Sequence, residues 1–341
     1  MATNFVKVDP VDTWAGAGPG RDSLPARLPP GLIVGGPEAI AKRREYGFYA
    51  ITKNGGFLVA LWWILTQPTG WVEWTAFAIF YVLNILSMSL AYHRYFAHRA
   101  FETSRPMRYA LGILAQFGVY GSLLKWSADH RRHHAMSDRA GDIHSPYVDP
   151  HGNPMTKWRG LSHAHLGWVF DDTTTDLAVY GKGLVDDPVI MFCHRTRYFW
   201  YGVSALALPA LWGWTFGGAE AILGTVLVAG FFRIQLALHA IAAVNSFGHR
   251  FGYERYSGRY TGGARNNWFL ALITLGEGWH NNHHGHPRAA DAGFVWYELD
   301  PTAWLIRLME KIGLVWNVHY APRFVRGADG EWVEARAAAP A

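Results

Sequence analysis

Residues 54–93 and 198–232 contain no lysine or arginine. Each window is long enough for two helical spans of a bilayer, at about 20 residues apiece. The first reads GGFLVALWWILT and WTAFAIFYVLNILSMSLAY, separated by QPTGWVE, a Pro/Gly turn. The second reads FWYGVSALALPALWGW and AEAILGTVLVAGFF, separated by TFGG, and stays apolar to about Val244. The pattern predicts four helices near 46–66, 72–93, 198–215 and 219–244, paired as two hairpins. Buried helices of a soluble enzyme could give the same runs. Composition weighs against that: 50% of residues are hydrophobic and 17% charged, where ordinary soluble domains carry about 25% charge. Seventeen Trp, sixteen Tyr and nineteen Phe suit a membrane–water boundary. Neither short hairpin loop carries a positive charge, whereas all the other connections do. That asymmetry places both termini and the whole 94–197 segment in the cytoplasm. The expected fold is an all-α, multi-pass integral membrane protein, with the lipid bilayer as its first partner.

The flanks read differently. Residues 1–45 are rich in Pro, Gly and scattered charge (AGAGPGRDSLPARLPPGL) and are expected to form a disordered or surface-lying arm. Residues 323–341 are expected to be a disordered tail. Lys53 falls inside the first span and is expected to snorkel. A fifth apolar run, 107–124, is expected to lie in the interface without crossing, because crossing would part the histidines on either side of it. The lone Cys193 leaves metal chemistry to His, Asp, Glu or Asn. The net charge of +5 comes with no nucleic-acid motif, so no nucleic-acid partner is expected. Arginine outnumbers lysine, which suits a GC-rich bacterial genome and hence an inner-membrane location.

The seventeen histidines are clustered. HRYFAH gives His93 and His98; HRRHH gives His130, His133 and His134; NSFGH gives Asn245 and His249; HNNHH gives His280, His283 and His284. Positions i, i+3 and i+4 share a helix face, so each H-x-x-H-H box can aim its imidazoles at one point. His93 and His98 lie about 140° apart on an ideal helix and would converge better if the helix loosened there. Nine imidazoles exceed the four ligands of a structural zinc site and suit two metal ions. Imidazole accepts Fe, Cu, Zn and Ni alike. A bilayer offers long alkyl chains, whose unactivated C–H bonds yield to oxidants, which favours a redox-active iron pair. Asp129, Asp138, Asp142 and Glu277 lie near the boxes and are candidates to orient the rings. His144, His151, His163, His165, His194, His286 and His319 default to packing or surface roles. His239 and Arg233 are set apart because they fall within the fourth span.

HRYFAH, HRRHH and HNNHH, together with AYHR (91–94), HLGW (165–168), DDPVIMFCHRTRYF (186–199), VNSFGH (244–249) and RNNWFLALITLGEGWHNNHH (265–284), resemble the membrane fatty acid desaturases. Within that family the pattern is similar to the acyl-CoA, stearoyl-type delta-9 branch. The resemblance covers about residues 46–320 and implies a desaturase domain over 46–322, with four spans and a cytoplasmic helical catalytic cap. It implies that His93, His98, His130, His133, His134, His249, His280, His283 and His284 bind two irons, with Asn245 acting through water. The implied reaction removes two hydrogens from adjacent methylenes of an acyl chain, consuming O2 and two electrons. It places a cis double bond, at the ninth carbon by resemblance. Trp126 and Trp168 are candidate walls of the substrate tunnel.

One departure matters. Where animal acyl-CoA enzymes carry an Arg that engages CoA, this chain reads WSADH, with Ala128 in its place. The acyl carrier is therefore open between CoA and a glycerolipid, with a carrier-protein thioester the weaker option. No His-Pro-Gly-Gly haem motif occurs, so electrons are expected from a separate ferredoxin or small haem cytochrome with its reductase. Arg94, Arg99, Arg131, Arg132 and Arg139 are candidates to dock an acidic donor. Hydroxylation or epoxidation at the same centre is the alternative outcome. A metal transporter, the rival from another class, would carry ligands near mid-membrane, whereas these cluster at span ends.

Overall fold

The computed structural model describes residues 29–258, 261–322, 324–326 and 332–334. Helices dominate, and the strands form three two-stranded pairs with no closed sheet. A short strand β1 (Leu32–Val34) leads into α1 (Gly36–Thr66), which has Pro37 in its first turn and Glu38 against the positive end of the helix. At 31 residues α1 is about 46 Å long, well beyond a hydrocarbon core of about 30 Å. From residue 29 onward the expected arm is ordered. β1 pairs with β3 (Thr173–Thr175), and the first turns of α1 pack on the 168–173 segment, with Lys42 donating to the carbonyls of Trp168 and Thr173.

After the Pro68–Gly70 turn the chain returns through α2 (Trp71–Leu86), which continues as a π-helix over Ser87–Ala97. Strand β2 (Glu102–Thr103) and helix α3 (Arg105–Phe117) follow. The thirteen residues of α3 span about 20 Å, too short to cross a bilayer, and Leu111, Gly112, Ala115 and Gln116 are buried. Ser122 caps α4 (Leu123–Met136), accepting from the Lys125 N–H; α5 (Lys157–His165) and the one-turn α6 (Leu177–Tyr180) follow. Asp187 caps α7 (Pro188–Gly202), which passes through a π-turn at Val203–Ala207 into α8 (Leu208–Gly217). The chain then turns back through α9 (Ala221–Thr225), a π-segment at Val226–Phe232, and α10 (Arg233–Ser246). The short helices α11 (Trp268–Ile273) and α12 (His280–Gly285), then α13 (Pro301–Lys311), follow, with β4 (Val315–Trp316) on β2. Within the expected tail, β5 (Phe324–Arg326) pairs with β6 (Trp332–Glu334), so part of it is ordered; the rest lies outside the described residues.

Among the described residues three helices are long and apolar enough to cross a membrane: Gly36–Thr66, Trp71–Ala97 and Ala221–His249. The segment expected as another span, 198–215, lies in the run Pro188–Gly217. That run is helical and carries Trp200, Tyr201, Pro209, Trp212 and Trp214, which dilute its apolar character. It still exposes Phe199, Leu206, Leu211, Trp214 and Phe216, and packs against the Ala221–His249 helix so closely that a Cβ on Gly230 would meet the Ala205 carbonyl. Ile51, Leu58, Trp62 and Leu65 on α1 are exposed in the same way, as lipid-facing residues should be. Arg233, one of the polar residues of the last span, is fully buried. It bonds Asn84, Ala229 and Ser204, tying three helices together.

Lys53 does not snorkel. Its ammonium turns inward, 2.6 Å from the Val119 carbonyl and 5.0 Å from the centre of the Tyr49 ring.

Candidate metal centre

The π-helix at the end of the second apolar helix explains how two histidines five apart converge. His98 N–H donates to His93 O, the i→i−5 bond of a π-turn. The wider turn brings the two rings to 4.9 Å between centres. Helix α4 brings His130, His133 and His134, the end of α10 brings His249, and α12 brings His280, His283 and His284.

These nine imidazoles divide into two groups, within each of which the candidate ligand nitrogens lie within 4.8 Å of one another. One holds His93, His98, His130, His134 and His283; the other holds His133, His249, His280 and His284. Each H-x-x-H-H box is therefore split. The i and i+4 residues of the second box, His130 and His134, face the first group, while His133 faces the second. In the last box His280 and His284 face the second group, while His283 faces the first. The expectation that each box aims at one point is corrected: each straddles two.

Nε2 meets Nε2 throughout. His93 and His283 approach to 2.9 Å, His98 and His130 to 2.7 Å, and His134 comes to 3.0 Å from His130 and 2.9 Å from His283. In the second group the distances are 2.9 Å for His249–His280 and 3.2 Å for both His133–His284 and His280–His284. For three of these rings a carboxylate lies against the other nitrogen. His93 Nδ1 lies 2.5 Å from Glu277, His133 Nδ1 2.8 Å from Asp142, and His249 Nδ1 2.8 Å from Asp138. A carboxylate that takes the Nδ1–H leaves a lone pair on Nε2. Several lone pairs facing one another at about 3 Å repel unless a cation lies among them. Two nitrogens each about 2.1 Å from one metal, at right angles, would stand about 3.0 Å apart, so the donor set fits a metal in each group.

Burial, reinforced by neighbouring imidazoles, holds His98, His130, His133, His134, His280 and His283 well below the ordinary histidine range, in the neutral form that ligates. Burial raises the Asp142 carboxyl, and the nearby Asp138 charge adds to this. For Asp138 burial also pushes upward. The His249 ring and bonds from Gly263 N–H and Ser145 hydroxyl outweigh it and hold the carboxyl low. Glu277 is held low despite burial, by His93, Arg94 and the Ser89 hydroxyl.

Three of the four carboxylates singled out from the sequence thus touch imidazoles. Asp129 does not: it accepts from the Thr175 hydroxyl, on the side of α4 that faces β3. Position 129 precedes the box by one residue, which turns its side chain about 100° away from that of His130. Arg94 and Arg132 also need correcting as docking residues, since both are buried. Arg94 bonds Ala290 O and Asp300 and approaches Glu277.

Some residues of the site gave little signal in the sequence. His144 is buried with its ring centre 4.1 Å from that of His133, and its N–H bonds Asp142. Asn281 and Asn282, the two residues inside HNNHH, are fully buried and pin the short α12. Asn281 accepts from the N–H groups of Arg255 and Tyr256; Asn282 donates to Ala292 O and Glu298. A six-residue helix has little stability of its own, so these asparagines hold the last three histidines in place. Two asparagines between histidines were the only clue.

Next to the centre lies an apolar cavity of about 150 Å3, lined among others by Met88, Tyr120, Trp126, Trp168, Ile241 and Asn245. Trp126 stacks on His130 at 4.9 Å between ring centres. Asn245 thus stands on the cavity wall, one helical turn from His249.

The fatty acid desaturase family profile matches residues 69–320. A hex-5-enoyl-acyl-carrier-protein acetylenase of Moorena producens is 36% identical over 81% of this chain and 85% of its own. An sn-1 stearoyl-lipid 9-desaturase of Anabaena variabilis is 31% identical over 73% and 84%. A probable acyl-CoA desaturase of Schizosaccharomyces pombe is 31% identical over 78% of this chain and 53% of its own.

Proposed function

The chain belongs to the fatty acid desaturase family, and from that premise we propose that it places a cis double bond at the ninth carbon of a saturated acyl chain carried on CoA or a glycerolipid. The observation that carries this reading is the apolar cavity beginning at Trp126 and Asn245, beside the two imidazole groups. Two irons are the cofactor: His93, His98, His130, His134 and His283 would hold one, and His133, His249, His280 and His284 the other, with Asn245 reaching its iron through water. When bound, the pair supplies oxidation of an unactivated C–H bond by O2, with two electrons from a separate ferredoxin or small cytochrome.

The protein's own part is placement and exclusion. Trp126 and Trp168 fix the path of the chain past the histidines, so that one pair of methylenes faces them and its neighbours do not. Glu277, Asp142 and Asp138 hold His93, His133 and His249 in the tautomer that offers Nε2. We place the centre in the cytoplasmic cap of a four-span protein, with Pro188–Gly217 as the remaining crossing. Exposed apolar residues on that run, and the absence of lysine or arginine from residue 198 to 232, support this topology.

The test is expression in cells that lack their own desaturase, with fatty acids resolved by double-bond position. New monoenes at the ninth carbon are expected. Hydroxylated or epoxidised chains without monoenes would sink the proposal.

A further inference from the structure

The cavity beside the histidines does not end as it begins. Its wall on α10 descends through Asn245, Ile241 and Leu238 to Gln235, one face of the helix at i, i+3 and i+4 spacing. From Ile241 to Gln235 is about 9 Å along the axis, and from Asn245 about 15 Å. The facing wall on α1 descends from Tyr46 and Tyr49 to Lys53 and Asn54. At this deep end the lining turns polar.

Lys53 is 5% exposed, and of its three N–H donors one is used, on Val119 O. Among the described residues no carboxylate is paired with it. Gln235 is also 5% exposed. Its amide nitrogen bonds Asn54 Oδ1 at 2.8 Å and meets His239 at 3.1 Å, while its Oε1 is buried without a hydrogen-bond partner. Lys53, with unused donors, and Gln235, with an unused acceptor, therefore line one cavity. A methyl terminus pressed against them would leave both unsatisfied, the costly arrangement for buried polar groups. A hydroxyl both accepts and donates, so it can take a hydrogen bond from Lys53 and give one to Gln235.

We propose that the floor formed by Lys53, Asn54 and Gln235 recognises an acyl chain bearing a terminal hydroxyl, so that the preferred substrate is an ω-hydroxyacyl chain of medium to long length. The inference rests on the desaturase reading of the neighbouring centre.

The test compares palmitate with 16-hydroxypalmitate, fed to cells that lack a desaturase and express the full chain, with products resolved by mass spectrometry. Two added hydrogen bonds to buried groups should favour the hydroxylated chain about tenfold. Lys53→Met and Gln235→Leu should each bring the ratio towards one. Double bonds in both chains without preference, unchanged by either substitution, would mean that the floor holds water only, and would overturn the proposal while leaving the desaturase reading intact. Absence of double bonds from every chain would refute the desaturase reading instead. In that case ligand-induced thermal shifts of the detergent-purified protein decide about the floor. A larger rise in Tm with 16-hydroxypalmitate than with palmitate, lost in Lys53→Met, supports it; equal rises refute it.

Discussion

His133 and His134 are adjacent in the chain and belong to different imidazole groups: His133 Nε2 lies 3.2 Å from His284, while His134 Nε2 lies 2.9 Å from His283. The one-residue step of about 100° on α4 is what divides the second box between two centres, and the step from His283 to His284 on α12 does the same for the last box.

From this division, single substitutions should remove one metal at a time. The intact protein is expected to carry about two irons per chain, four or five imidazoles sufficing for each. His283→Ala should chiefly empty the five-histidine group and His280→Ala the four-histidine group, each leaving about one iron by elemental analysis with a distinct Mössbauer signature. Product should be lost in both, and in His134→Ala. Activity that survives these replacements would refute a shared centre.

Carboxylates that touch a ring should differ from one that does not. Glu277→Gln and Asp142→Asn should lower iron affinity or activity by about 10- to 100-fold, the usual cost of losing a group that orients a ligating histidine. Asp129→Asn, which disturbs the bond to Thr175 and the charge beside Arg132 and Lys42, should cost stability, about 1–3 kcal/mol, and leave iron per folded chain unchanged. Metal titration and thermal unfolding on the same preparations separate the two effects.

Asn282 should behave as an anchor of the last box. Asn282→Ala removes the donors to Ala292 O and Glu298 and the acceptor for Asn266, leaving buried groups unpaired at about 1–3 kcal/mol each. Iron should fall in both groups together, because α12 feeds both. Loss from one group alone would argue against the anchoring role.

The metal-free protein should be acid-sensitive. His98, His130, His133, His134, His280 and His283 have lowered proton affinity in the fold and an ordinary one, near 6.5, when unfolded. Between those values the unfolded chain binds more protons, so stability is fully present above about pH 6.5 and is lost as pH falls below it. Tm of the chelated protein should drop steeply over that range, while the metal-loaded protein, whose imidazoles are already occupied, should resist. A flat Tm profile for the chelated form would contradict the neutral, buried state of these rings.

What the sequence settled on its own was whatever repeats at short range. Charge-free windows announced the apolar helices, because lysine and arginine are disfavoured in the apolar stretch of a bilayer-crossing helix, Lys53 and Arg233 being buried exceptions here. Histidine spacings announced the walls of the site, because residues i and i+4 share a face in any α-helix. Even the loosening between His93 and His98 was legible, since only a wider turn lets residues five apart converge. Tertiary structure decided what depends on which face meets which partner. It sent Asp129 to Thr175 and Asp142 to His133, although both stood near the same box in the chain. It buried Arg94 against Asp300 and turned Lys53 inward onto Val119 O, where chain position alone suggested a surface. It also split each box between two centres, a choice no single helix makes, because it depends on how α4, α10, α12 and the π-helix are packed around a common space.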